Sequence, residues 1–169
     1  MDALTCIHTR RSIRRFTEES LTEDEIRSLL DAAMIAPSAG NARPWAFVLI
    51  ADKSLIERIP DINPYAAMAP EAPLTILVCG DLQAEKYPGY WVQDCSAAVQ
   101  NILLAATALG LGSVWTGIFP KEDRVKGFRE LCNLPEHIMP LAALVIGRPA
   151  VEARRMSRFE DGKIHRNTW

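Results

Sequence analysis

The segment from Trp91 to Leu109 constrains this chain more than any other. It contains no proline or glycine, is rich in Ala, Val, Ile and Leu, and carries only a thin polar stripe at Gln93, Gln100 and Asn101. Such a run predicts a long helix, and a helix that is apolar nearly all round must be buried on most of its sides. Its alanines, with Cys95 and Ser96, let a second helix approach closely. Whatever the chain folds into has to cover this helix.

The remaining segments supply the cover. Residues 2–9 read as a short helix with Asp2 as N-cap. Thr22-Glu23-Asp24-Glu25 is a capping box, and Ile26, Leu29, Leu30, Ala33 and Met34 follow at helical spacing until Pro37. Strands are predicted over 45–51, 74–79, 113–118 and 139–146, with further helices over 54–59 and 121–131. Residues 60–73, rich in proline and alanine, read as a long loop of the kind that forms a lid or binding loop. The resulting order of elements implies an α+β or α/β sheet with helices packed on it. At 169 residues the chain fits a single domain. The arm over 149–169 has few aliphatic residues and cannot fold alone, so it should pack on something else.

Composition removes several classes of function. A net charge of −2 argues against general nucleic-acid or polyanion binding. The N-terminus lacks the basic and apolar regions of a signal peptide, and no apolar stretch is long enough to cross a membrane, so a cytoplasmic protein is expected. Cys6, Cys79, Cys95 and Cys132 are far apart, which suits buried, reduced thiols. His8, His137 and His165 form no ligand pair, so no metal is expected. Neither a G-x-S-x-G elbow nor a P-loop is present. Leu111 to Gly117 lacks the G-x-G-x-x-G spacing and follows a helix, whereas a dinucleotide fingerprint follows a strand.

Four short segments carry chemistry. Arg10, Arg11, Ser12, Arg14 and Arg15 place four guanidinium groups and a hydroxyl within six residues, a donor set suited to phosphate, although a solvated basic turn closing a helix has the same composition. Arg148 follows directly on an apolar strand, where ligands of open sheets gather, and is equally compatible with an ordinary strand-ending turn. Pro37-Ser38-Ala39-Gly40-Asn41-Ala42-Arg43-Pro44-Trp45 is a polar turn able to face a planar heterocycle. The strand through Trp115, Thr116 and Gly117 can offer backbone amides to a ligand. No acid–base pair stands out, as is usual where a cofactor makes and breaks the bonds.

Arg10-Arg11-Ser12-x-Arg14-x-Phe16, Pro37-Ser38-x-x-Asn41-x-x-Pro44-Trp45, Gly110-x-Gly112 leading into Trp115-Thr116-Gly117, and Ile146-Gly147-Arg148-Pro149 together resemble the nitroreductase family, in order and spacing, over nearly the whole chain. The resemblance implies an α+β fold, a mixed central sheet wrapped by helices, in an obligate intertwined homodimer that binds FMN. It places Arg10, Ser12 and Arg148 at the FMN phosphate and Arg14 near the flavin, with Arg11 also among the cofactor-binding residues. Pro37, Ser38 and Asn41 of the partner subunit would face the isoalloxazine, and Trp115, Thr116 and Gly117 would present backbone donors to its reactive edge. The 91–109 helix becomes the dimer core, and the 149–169 arm wraps the partner. Tyr65, Met68, Tyr87, Tyr90 and Trp91 are the candidates for the substrate wall. The implied activity is ping-pong transfer of reducing equivalents from NAD(P)H, as co-substrate, to small acceptors such as nitroaromatics or quinones. Dehalogenation, ring dehydrogenation, flavin fragmentation and flavin binding without turnover are the other chemistries open to such a fold. Arg43 departs from the family, which usually has glutamine before Pro-Trp.

Overall fold

In the computed structural model, which describes residues 1–152 and 157–169, four strands form one sheet: β1 (Trp45–Ile50), β2 (Leu74–Asp81), β3 (Gly112–Gly117) and β4 (Ile138–Gly147). Their spatial order is β1-β2-β4-β3, and every neighbouring pair runs antiparallel. The mixed sheet expected from the resemblance is therefore corrected. Its only parallel element among the described residues is an isolated bridge, Ser12 with Ser113. β2 and β4 lie at the centre and are buried almost throughout, which explains their largely apolar sequence.

Among the described residues six helices surround the sheet: α1 (Ala3–Thr9), α2 (Glu23–Met34), α3 (Lys53–Ile56), α4 (Ile59–Ile62), α5 (Trp91–Ala108) and α6 (Glu122–Cys132). The capping box at α2 is formed as predicted: Thr22 Oγ1 accepts from the Glu25 N–H at 3.2 Å, and Glu25 Oε2 accepts from the Thr22 N–H at 2.8 Å. On one face of the sheet α5 and α2 pack through Cys95, Ala98, Val99, Ile102, Leu29 and Ala33 against Ile76, Val78 and Leu144. The other face is covered by Ile56, Ile59, Ala66, Ala69 and Phe128 over Leu77, Ala143 and Val145. Each fully buried aliphatic side chain of these layers stabilises the fold by roughly 1.5–3 kcal/mol.

One expectation about these elements changes. Residues 60–73 are no open loop: α4 and two short 3-10 turns, Pro64–Ala66 and Ala69–Glu71, fill the stretch, and Ala66 and Ala69 are wholly buried. Small side chains let the backbone pack tightly there without a regular helical or strand period. The burial of α5 is met in large part inside the chain, by the sheet, α2 and α1. The exposed apolar surface lies elsewhere, on Leu4 and Ile7 of α1, Met34 and Ile35 at the end of α2, and Leu109 after α5. Burial also pushes the thiols of Cys79 and Cys95 up to about 12, which leaves them unreactive. Among the described residues no helix is long and apolar enough to cross a membrane, and no three His, Cys, Asp or Glu side chains converge as a metal site.

Candidate functional site

β3 forms one edge of the sheet, and its backbone alternation decides what that edge offers. The Ile118 N–H donates to the Leu141 carbonyl at 3.0 Å, in continuation of the register that pairs Gly117 with Ala142. Residues of even number in β3 thus bond to β4, and those of odd number turn their N–H and C=O outward. On the outer side the Ser113 carbonyl accepts from the Ile13 N–H at 2.9 Å. The N-terminal segment then leaves the edge, with Phe16 bridging to Pro149 and the Thr17 N–H donating to the Arg148 carbonyl. Trp115 and Gly117 lie beyond that cover, so their amides face open space. A Cβ built on Gly117 would meet nothing within 4 Å; the chain's own packing has no need of a glycine there, whereas a flat ligand lying on the strand would.

Thr116 belongs to the other set. Its side chain is buried and its hydroxyl donates to the Ala143 carbonyl at 2.8 Å, so Thr116 serves the sheet while Trp115 and Gly117 serve the edge. At the end of the strand the Gly117 carbonyl accepts from Asn63 Nδ2 at 3.2 Å and from Arg124 Nη1 at 2.9 Å. Asn63 is fully buried and also accepts from the Tyr65 N–H at 3.2 Å, tying the 63–68 segment to β3.

At the opposite end of β3, where Ser12 pairs with Ser113, Arg10 and Arg11 line a cavity of about 310 Å³ with Ile7, His8, Arg158 and Phe159. No acidic residue is among its described lining. Burial, and then the charges of Arg11 and Arg158, hold the Arg10 pKa below its ordinary value. Arg14 lies two residues past the bridge and is exposed. Arg158 was missed in the sequence: its arm has no periodicity, and the one signal was a surplus of basic residues after Arg148.

Arg148, expected in this cluster, is committed elsewhere. Its guanidinium donates to Glu25 Oε1 at 2.7 Å, to Glu25 Oε2 at 3.1 Å and to Glu19 Oε1 at 2.9 Å. Those carboxylates raise the Arg148 pKa above its ordinary value, Glu25 first. The residue ties the end of β4 to the start of α2.

The polar turn before β1 sits at the other edge of the sheet. Ser38 Oγ accepts from the Arg43 N–H, and the buried Asp94 accepts from the Ala39 N–H, both at 2.9 Å. Gly40, Asn41 and Arg43 have positive φ, of 58°, 55° and 50°. The φ of Arg43 is unusual for such a residue; the side chain is exposed, and nothing in the structure explains the arginine. Pro37 and Asn41 are exposed as well. Tyr87 and Lys86 pack against Gly40, and Glu85 accepts from the Trp91 N–H, so the 85–90 segment belongs to this edge. Tyr87 and Tyr90 remain half exposed, edge to face at 6.1 Å. Trp91 does not join them: its ring lies over Gly80, where a Cβ would collide with it, and against Phe119. It is a core residue, because Gly80 leaves the room that its indole fills. Met68 packs on the lower core layer, whereas Tyr65 is 72% exposed.

The sequence relationships agree with this geometry. The model of the Nitroreductase family matches residues 7–68 and 61–148. The chain belongs to the nitroreductase family. A relative in Methanothermobacter thermautotrophicus, named "Putative NADH dehydrogenase/NAD(P)H nitroreductase", is 48% identical over 169 residues, covering 100% of this chain and 88% of its own. A crystal structure under the same name from Bacteroides thetaiotaomicron superposes with a TM-score of 0.95 at 40% identity, covering 99% of this chain and 98% of that one. A nitroreductase-family crystal structure from Desulfovibrio desulfuricans, solved as a complex with FMN, is 31% identical with a TM-score of 0.85, covering 100% and 99%. The nitroreductase fold of the chain is α+β, as the sequence led one to expect.

Proposed function

We propose that the chain is an FMN-dependent oxidoreductase that draws on NAD(P)H and reduces small acceptors such as quinones or nitroaromatics. The observation that carries this reading is the pairing of an arginine-lined cavity with open backbone donors along one strand edge. At about 3.3 Å per residue, Trp115 and Gly117 lie roughly 7 and 13 Å past the Ser12 bridge. A ribityl phosphate with a flat ring at its far end suits that separation. Arg10, Arg11, Ser12 and Arg158 would hold the phosphate through charge-assisted hydrogen bonds. The Trp115 and Gly117 amides would orient the ring, and Arg14 would add positive charge beside it. Bound FMN would supply the two-electron redox chemistry that links the nicotinamide to an acceptor. Donor and acceptor would occupy the space over β3 in turn, a ping-pong order.

The site is incomplete in a single chain. The Pro37–Asn41 turn precedes β1, and the open donors lie on β3, three strand spacings of ~4.8 Å away at the opposite edge, or about 14 Å. A second copy, docked through Leu4, Ile7, Met34 and Ile35, would bring its own turn, with Tyr87 and Tyr90, to the β3 edge. Phe159 and Trp169 of the C-terminal arm are 74% and 100% exposed and would be covered in the same assembly. The test is direct. Purified protein should be yellow, bind added FMN and oxidise NADH with menadione; a colourless protein that ignores FMN overturns the proposal.

A further inference from the structure

We infer that Arg124, seated on Tyr65 at the end of β3, selects acceptors that carry a negative charge. The inference rests on the proposed function only in that the acceptor occupies the space over the outer half of β3.

Arg124 lies in the first turn of α6, and its Nη1 donates to the Gly117 carbonyl at 2.9 Å. Its guanidinium carbon stands 5.1 Å from the centre of the Tyr65 ring. Tyr65 is itself held from below, since the buried Asn63 accepts from its N–H and donates to the same Gly117 carbonyl. Carbonyl, ring and buried amide thus fix the guanidinium in place, and a charged group ordered in advance loses little freedom when it binds. One of its five N–H donors is spent on Gly117, and the rest remain for a planar anion such as a carboxylate.

The charge of Arg124 is also unanswered within the protein. Among the described residues it makes no ion pair, whereas Arg148 holds two carboxylates and Arg15 holds Glu71. Glu122, on the same helical turn, faces instead a groove with Phe119, Val125, Lys126 and Met139. A tyrosine 72% exposed beside an ordered guanidinium, next to the open Gly117 amide, gives a flat acceptor an aromatic wall and a cationic end. A neutral acceptor uses the wall alone; a carboxylate-bearing one uses both.

The experiment compares 4-nitrobenzoate with 4-nitrobenzamide in the FMN-loaded enzyme, with NADH and NADPH as separate donors. The readout is the ratio of kcat/KM for the anionic to the neutral acceptor. Arg124→Gln should lower that ratio about tenfold, chiefly through KM, and high salt should shrink the difference. Arg124→Lys should keep part of the preference, and Tyr65→Leu should lower it about threefold while the charge is still present. A ratio unchanged within twofold in Arg124→Gln, with the wild type active, overturns the inference and leaves the oxidoreductase reading standing. A loss confined to NADPH relative to NADH overturns it too, because the guanidinium would then read the nicotinamide's phosphate. A wild type that binds no FMN, or reduces neither acceptor, overturns both readings.

Discussion

The turn ahead of β1 and the strand β3 finish opposite edges of one sheet, the first with its polar groups paired inside the chain and the second with two amides turned outward. At the β1 edge Asp94 takes the Ala39 amide and Ser38 takes that of Arg43. At the β3 edge the N-terminal segment pairs with Ser113 and then departs, although the strand continues for four more residues. An exposed strand edge is a liability that proteins normally cover or blunt. Leaving it bare beside an arginine-lined cavity is consistent with an edge that a ligand completes, while the rigid turn is shaped to be presented to another molecule.

The sharpest way to break this contrast is to keep the two edges from meeting. Ile35 is 77% exposed, so Ile35→Glu should leave the fold of each chain intact while placing a charge in the apolar patch. We expect a monomer by sedimentation that has lost its FMN altogether. A monomer that stays yellow would mean that one chain holds the cofactor unaided.

Next in size is the phosphate end. Arg10→Ala removes charge-assisted hydrogen bonds worth about 1.5–3 kcal/mol each, so FMN affinity measured by fluorescence titration should fall about a hundredfold. Arg158→Ala should act in the same direction. If either changes affinity less than threefold, that residue leaves the site.

The β1 edge is tested by shape instead of charge. Gly40 has φ 58°, and a Cβ there would come within 2.7 Å of Lys86 Cδ and 2.9 Å of the Tyr87 ring. Lys86 can swing aside, but the backbone strain and the ring remain. Gly40→Ala should destabilise the protein by about 1–2 kcal/mol in chemical denaturation. A neutral result would show the turn to be looser than its paired amides suggest.

Much of this was legible in the sequence, and the failures share a cause. The capping box, the buried strands and α5 were readable because period and capping are local properties. Which partner buries a helix is not local: the apolar run of α5 announced burial, and the chain's own sheet, with α1 and α2, supplies most of it. Trp91 looked like a substrate wall because nothing beside it in sequence shows that Gly80 makes room for its ring. The surroundings of Arg148 and Arg158 were hidden for the same reason. The first stands in a motif but meets Glu25 and Glu19 across 123 and 129 residues, while the second is brought to Arg10 by the path of the arm.

The smallest effect follows from the pairing of Arg148 with Glu25. Arg148→Ala should leave FMN affinity within twofold while lowering Tm, because it unties β4 from α2. Its partner Glu25 sets the pH dependence. The Thr22 N–H, and then Arg148, hold the Glu25 carboxyl below its ordinary 4.5. A carboxyl with a depressed folded pKa contributes its stability above the unfolded value and loses it as pH falls through the folded one. Between pH 5 and 3, to order of magnitude, Tm should therefore drop less steeply in Glu25→Gln than in the wild type. The flattening is partial, since Asp2 and Asp52 are also held low, by Thr5 and Ser54. An acid limb identical in the variant would place the pH sensitivity wholly on those other caps, and would reduce the Arg148 pair to a contact without thermodynamic weight.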